Sequence, residues 1–232
     1  MQNVISIKKQ INPLSLGGCV LWLSANRNLG DTSSVRDWSG QNNHGTYNGS
    51  GGYPVYNRGF LFDGVNDYLQ IPYSQSINFT QPFSISLWSN YDNTMSGNYN
   101  SLVLKVYDGS NNPQYRFGRN GATNFGSFTY KNSSGYVDVI STIAYWVNSW
   151  HYYVLNVFSN KIDFWRDSVL IESISHTLNM ENTGNFDMYI GYNLQDGSYW
   201  NGSVDELLIY NRALSELEIR YLYERDKIRF GH

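Results

Sequence analysis

The 232-residue chain is 16% aromatic and only 15% charged, with 20 tyrosines and a formal net charge of -3. A chain of this size buries roughly 70–75% of its unfolded surface without covalent staples, and the single Cys19 excludes an internal disulfide framework. The charge balance excludes a basic nucleic-acid footprint, and no apolar run reaches the ~18–20 residues that span a bilayer.

Residues 1–18 read as an arm, in which Val4-Ile5-Ser6-Ile7 suits an edge strand or pairing with a neighbouring molecule. Lys8-Lys9 and the run Leu14 to Ala25 have the outline of a secretory leader. Pro13 and Gly17-Gly18 break that run, and Leu23 is a poor residue three before a cut, so no cleavage is expected there. Val20 to Leu23 is the first firm strand, followed by a polar loop from Asn26 to Gly52. Phe60-Leu61-Phe62 and Tyr68 to Ile71 are expected to pair around Asp63 to Asp67. Phe83 to Trp88 alternates, with Phe83, Ile85 and Leu87 facing inward. Shorter strands follow at Ser101 to Val106, Gln114 to Gly118 and Ser127 to Lys131. Trp150 to Val157 and Lys161 to Trp165 form a hairpin over Ser159-Asn160, and Ser168 to Ile174 and Asp187 to Gly191 come next.

The chain closes on a strand from Val204 to Tyr210 and a short helix. Strict alternation places Val204, Leu208 and Tyr210 on one face and Leu207 and Ile209 on the other. Ser215 and Glu218 form a capping box, and Leu214 and Ile219 a hydrophobic staple, which start a helix through Tyr223 that stoppers one end of the fold. More than ten short strands and one helix define an all-β, antiparallel jelly-roll sandwich over residues 19–232, preceded by the arm.

Several of these segments resemble the laminin-G-like jelly rolls of the concanavalin A-like lectin and glucanase superfamily. The terminal signature reads Gly202-Ser203-Val204-Asp205-Glu206, then Tyr210 to Ser215, then Glu218-Ile219. Asp37 to Gly45 matches the loop "D-x-S-G-x-x-N-H-G", Phe62 to Tyr68 the hairpin "F-D-G-x-x-D-Y", and Trp88 and Trp150-His151 the strand marks. The family's Asp-Gly turn is Asp167-Ser168 here, so its glycine is lost. The resemblance implies the sandwich fold and leaves the ligand open.

Family glucanases place two carboxylates about 5 Å apart on one strand face, as retaining hydrolysis requires. No such spacing occurs here; Asp205 and Glu206 are adjacent, so alternation would turn them to opposite faces. A catalytic role is therefore not expected. The loops that the resemblance gathers on one side supply Asp37, Asn43, Asp63, Asp67 and Asp205, which suit a structural calcium ion. Asp37, Asp205, Asn43 and Asp63 are the leading ligands, against the plainer reading that they cap turns or pair with Arg212. For a glycan, the candidates are Arg116, Tyr130 and Trp146, with Tyr115, Tyr136 and Tyr145 beside them. Trp22, Trp88, Trp150 and Trp165 are expected in the core.

These features make a non-catalytic structural or adhesive module the expectation. It would be displayed on a virion surface or outside a cell, as a decoration or fibre protein able to bind host or environmental glycans. Its assembly partners would dock through residues 1–18, with no nucleic-acid partner and no membrane insertion. A stand-alone soluble lectin is the alternative, and a glucanase-like hydrolase ranks third.

Overall fold

In the computed structural model of the protein, residues 12–28, 33–49, 54–55, 58–78, 80–92, 99–106, 112–121, 125–144, 148–181 and 184–232 are described. Two eight-stranded sheets face each other, and every pairing among the described strands is antiparallel. The first sheet runs Val169–Ser175, Lys161–Arg166, Trp150–Val157, Phe83–Tyr91, Asn201–Tyr210, Gly59–Asp63 and Pro54–Val55. Cys19–Leu23 pairs with the far half of Asn201–Tyr210. The second sheet runs Gly135–Ala144, Phe125–Asn132, Pro113–Asn120, Tyr99–Val106, Met188–Ile190, Tyr68–Ile71, Gly45–Asn48 and Ser34–Val35.

Alternation in the two sheets turns their apolar residues toward one another. Phe83, Ile85, Leu87, Leu155 and Ile209 from the first sheet meet Leu69, Phe117, Phe128, Met188 and Ile190 from the second. Each such side chain stabilises the fold by about 1.5–3 kcal/mol through burial.

The first sheet also buries its other face. Trp22, Trp88, Tyr152, Trp165, Leu208 and Tyr210 form a second apolar layer with Leu214, Ile219, Leu222 and Phe230. The helix Glu216–Asp226 lies over this layer, not at an end of the sandwich. Its start is as the residues require: the Ser215 hydroxyl accepts from Glu218 N–H, and the Glu218 side chain accepts from Ser215 N–H at 2.8 Å. Leu214 and Ile219 are both buried under it.

Three expectations are corrected. Gly59–Asp63 and Tyr68–Ile71 are not partners: the former pairs with Asn201–Val204 in the first sheet, the latter with Gly45–Asn48 and Met188–Ile190 in the second. The Asp63-to-Asp67 loop is therefore a corner between sheets. The closing strand does not alternate throughout. Asp205 pairs with Trp88 but Leu208 with Ser86, so one extra residue is inserted, and Glu206 takes φ 47°. Val204, Leu207 and Ile209 consequently share the inner face, while Leu208 and Tyr210 face the helix. Finally, residues 12–18 of the arm are built into the domain. Pro13–Leu16 is a 3-10 helix, the Tyr210 hydroxyl donates to Pro13 O, and Arg212 donates to the carbonyls of Leu16 and Gly17. Residues 1–11, including Val4 to Ile7, lie outside the described residues.

Candidate functional site

The outer face of the second sheet follows from its register. Thr46, Gln70, Tyr189, Leu104, Arg116, Thr129 and Asp138 stand opposite one another across seven strands. Their chain neighbours Tyr47, Leu69, Met188, Phe117, Phe128 and Val139 are in the core between the sheets, so this row points the other way. Gln70 donates to Asp187 at 2.7 Å, and Asp187 also accepts from Tyr73 N–H at 2.9 Å. Arg116 donates to Thr129 Oγ1 at 2.8 Å and lies 3.7 Å from Asp138.

Beside this row four tyrosines gather. Tyr68 and Tyr189 come from neighbouring strands of the sheet, and Tyr192 and Tyr199 from the small hairpin Tyr192–Asn193/Ser198–Tyr199. The Tyr192 and Tyr199 rings stack at 4.4 Å and 12°; Tyr68 lies 5.1 Å from Tyr192 and 6.0 Å from Tyr189. All four are partly exposed. The hairpin sits close because Gly191, at φ 81°, passes over Phe62, where a Cβ would come within 2.9 Å of the ring. Burial pushes the Tyr192 phenol up to about 12, helped by its hydrogen bond with Tyr199, and burial also raises Tyr189. Tyr189 and Tyr192 are therefore neutral at physiological pH, and the cluster offers apolar ring faces with polar tips.

The glycan candidates read from the sequence divide. Arg116 is on this face, although only 3% exposed. Tyr130 is not: it points into the core with Tyr115, is 1% exposed, and its hydroxyl lies 2.6 Å from His176 Nε2. Tyr136 is exposed near Lys131, and Tyr145 and Trp146 lie outside the described residues. Tyr68, Tyr189, Tyr192 and Tyr199 were missed. The signals were present in Met188-Tyr189-Ile190, whose alternation turns Tyr189 outward, and in the Asp196-Gly197 turn that makes Tyr192 and Tyr199 cross-strand partners.

The calcium candidates do not converge. Asp37 accepts from the N–H groups of Trp22, Ser39 and Asn43 and from the Ser39 hydroxyl, all within 3.0 Å. Asn43 bonds Val20 O and Ser76, and Asp63 caps Val65 and Asn66 N–H. Asp205 pairs with Arg229 at 2.7 Å, not with Arg212, and accepts from Ala25 and Glu206 N–H. The bulge also overturns the expected divergence of the two acids. Glu206 reaches Arg229 at 3.3 Å, Arg225 at 2.6 Å and Trp22 Nε1 at 2.9 Å on the same side. Burial raises Asp205 to about 7, opposed by Arg229. Glu206 is held below its ordinary value by Arg225, Ser24 and Arg229 against the burial penalty. Both carboxylates are tied up in locking the helix and tail onto the first sheet.

Residues 63–220 match the family model of the concanavalin A-like lectin/glucanases superfamily. The chain belongs to that superfamily. None of the curated proteins matches the sequence. Among solved structures, this superfamily member is similar to domain 4 of AbnA, a GH43 extracellular arabinanase from Geobacillus stearothermophilus, in complex with arabinotriose. That likeness has 19% identity and a TM-score of 0.68, and covers 88% of this chain and 98% of the other. It is similar also to a structure of botulinum neurotoxin type C, whose cell entry depends on interaction with two ganglioside molecules (16%, TM-score 0.67, 89% and 51% covered). A third is the binding domain of Paraclostridial Mosquitocidal Protein 1 (18%, TM-score 0.68, 91% and 52% covered). The chain spans about half the length of the two toxin chains. At these identities the likeness is one of fold.

Proposed function

We propose that the protein is a non-catalytic glycan-binding module and that the outer face of its second sheet is the binding surface. The observation that carries this is the gathering of Tyr68, Tyr189, Tyr192 and Tyr199, partly exposed, beside the polar row of Gln70, Arg116 and Thr129. Sugar rings present C–H faces that stack on aromatic rings, and hydroxyls that need donors and acceptors around them. The arabinotriose and ganglioside partners of the similar structures support the reading.

Display on a virus particle drew its main physical support from a docking arm over residues 1–18, of which residues 1–11 lie outside the described residues. With residues 12–18 packed on their own domain, glycan binding is the reading that stands without it. The test is calorimetric titration with arabinotriose and a panel of neutral oligosaccharides. Tyr192→Ala and Tyr68→Ala are expected to lower the affinity of the best ligand at least tenfold while lowering the melting point by no more than about 2–4 °C. Equal affinity in both variants would move the site elsewhere; silence across the panel would remove the function.

A further inference from the structure

At the end of the first sheet where Trp150–Val157 begins, three metal-ligating side chains meet from separate parts of the chain. His151 stands at the start of Trp150–Val157, Asp167 in the turn before Val169–Ser175, and His232 in the segment after the helix. One nitrogen from each imidazole and one Asp167 oxygen lie within 4.8 Å of one another, the only such group of three His, Cys, Asp or Glu among the described residues. The turn that delivers Asp167 is unusual in its own right. Asp167 and Ser168 adopt φ 50° and 64°, a left-handed pair where glycine is favoured.

The hydrogen bonds around the group set the ring tautomers in a way that suits a cation. His232 Nε2 lies 2.5 Å from Trp150 O and can only donate to it, leaving Nδ1 with the ring's lone pair. His151 Nε2 lies 3.0 Å from the Ser149 hydroxyl, while its Nδ1 faces Asp167 Oδ2 at 2.6 Å. Each ring therefore has an outer partner on Nε2, the arrangement by which ligating histidines are oriented. Arg166 Nε lies 3.9 Å from Asp167 Oδ2. A cavity of about 400 Å³ opens beside Trp150, His151 and His232, with room for a water ligand.

We propose that His151, Asp167 and His232 bind a divalent transition metal of the zinc class. Two imidazole nitrogens, one carboxylate oxygen and a solvent ligand make the mixed, four-coordinate set this class favours, whereas calcium and magnesium prefer oxygen alone. The metal takes the place of the proton between His151 and Asp167. At metal–ligand distances of about 2.0–2.1 Å that pair opens to roughly 3.3 Å, and the exposed His232 closes in. A hydrolytic reading of the Ser149–His151–Asp167 chain is weaker. The backbone N–H groups of Asn148, Phe230, Gly231 and His232 beside the cavity already donate to Tyr91, Lys227, Ile228 and Lys227 carbonyls, so these four are not free to hold an oxyanion.

The test is titration of the full chain with zinc chloride, followed by calorimetry and by the thermal midpoint. One ion per chain and a raised midpoint are expected, with magnesium and calcium giving neither. His232→Ala and Asp167→Asn should each weaken zinc at least tenfold, and cobalt(II) should give the visible absorption of a tetrahedral site in the wild type only. Because His232 is exposed, its variant is expected to fold as the parent does. Absence of stoichiometric binding, or equal zinc affinity in His232→Ala, would overturn the proposal.

Discussion

The two sheets differ most on the faces they turn away from each other. The first sheet carries Trp22, Trp88, Tyr152, Trp165 and Tyr210 outward, all buried beneath the helix Glu216–Asp226 and the tail to Phe230. The second carries Tyr68 and Tyr189 outward, with Tyr192 and Tyr199 beside them, all partly exposed. Both surfaces are aromatic, so aromatic content does not separate a core from a binding face. What separates them is whether an amphipathic segment covers the surface, and how charge pins that segment down. On the first sheet Glu206 and Asp205 hold Arg225 and Arg229 from the cover; among the described residues no ion pair pins a segment over the tyrosine cluster.

The comparison breaks most sharply at Glu206. Glu206→Ala removes the strand-side partner of the nearly buried Arg225 guanidinium, while Arg229 keeps Asp205, and urea unfolding is expected to give a loss of about 3–5 kcal/mol. A loss under about 1 kcal/mol would mean that packing alone holds the cover. Ile219→Ala, beneath the helix, should cost about 2–5 kcal/mol by the same measurement while leaving glycan titrations unaltered. Removing the helix cap with Ser215→Ala should cost about 1 kcal/mol.

A pH series adds a second readout of that cap. Hydrogen bonding from Arg212, then from Ser215, lowers Glu218 from the usual 4.5 to about 2 despite some desolvation. Its contribution is therefore complete above pH 4.5 and is lost as the pH falls through about 2. The stability gap between wild type and Glu218→Gln should close over that window, as followed by circular dichroism. The smallest effect on stability is expected at the open face: Tyr192→Ala should cost about 0.5–1 kcal/mol through lost ring stacking. A much larger loss would class the tyrosines with the buried aromatics of the other sheet.

The sequence carried the sandwich and the capped helix plainly, because both rest on local patterns: alternation at Phe83 to Leu87, and Ser215 with Glu218 three residues on. It did not carry the position of the helix, since the stripe of Ile219 and Leu222 says that something is covered and not what. The corner at Asp63 to Asp67 looked like a hairpin because loop length cannot report that its two strands join different sheets. Asp37 and Asp63 looked like ligands because the oxygens that hold calcium also cap turns. Tyr130 and Tyr189 are the instructive pair. Tyr130 stands between Thr129 and Lys131 and turns inward, whereas Tyr189 stands between Met188 and Ile190 and turns outward, so the flanking residues, not the tyrosine itself, carry the direction.

The extra residue at Asp205-Glu206 acts on the pleat as an insertion acts on a reading frame. Upstream of it, the odd or even parity of a position decides its side one way; downstream, the rule is reversed. Leu208 and Tyr210 reach the helix, and Leu207 and Ile209 the interior, only because the frame has shifted. Deleting either acid would remove the bulge and the shift together, leaving Val204, Leu207 and Ile209 inward by plain alternation, so what the insertion adds is room for a second carboxylate beside Arg225 and Arg229.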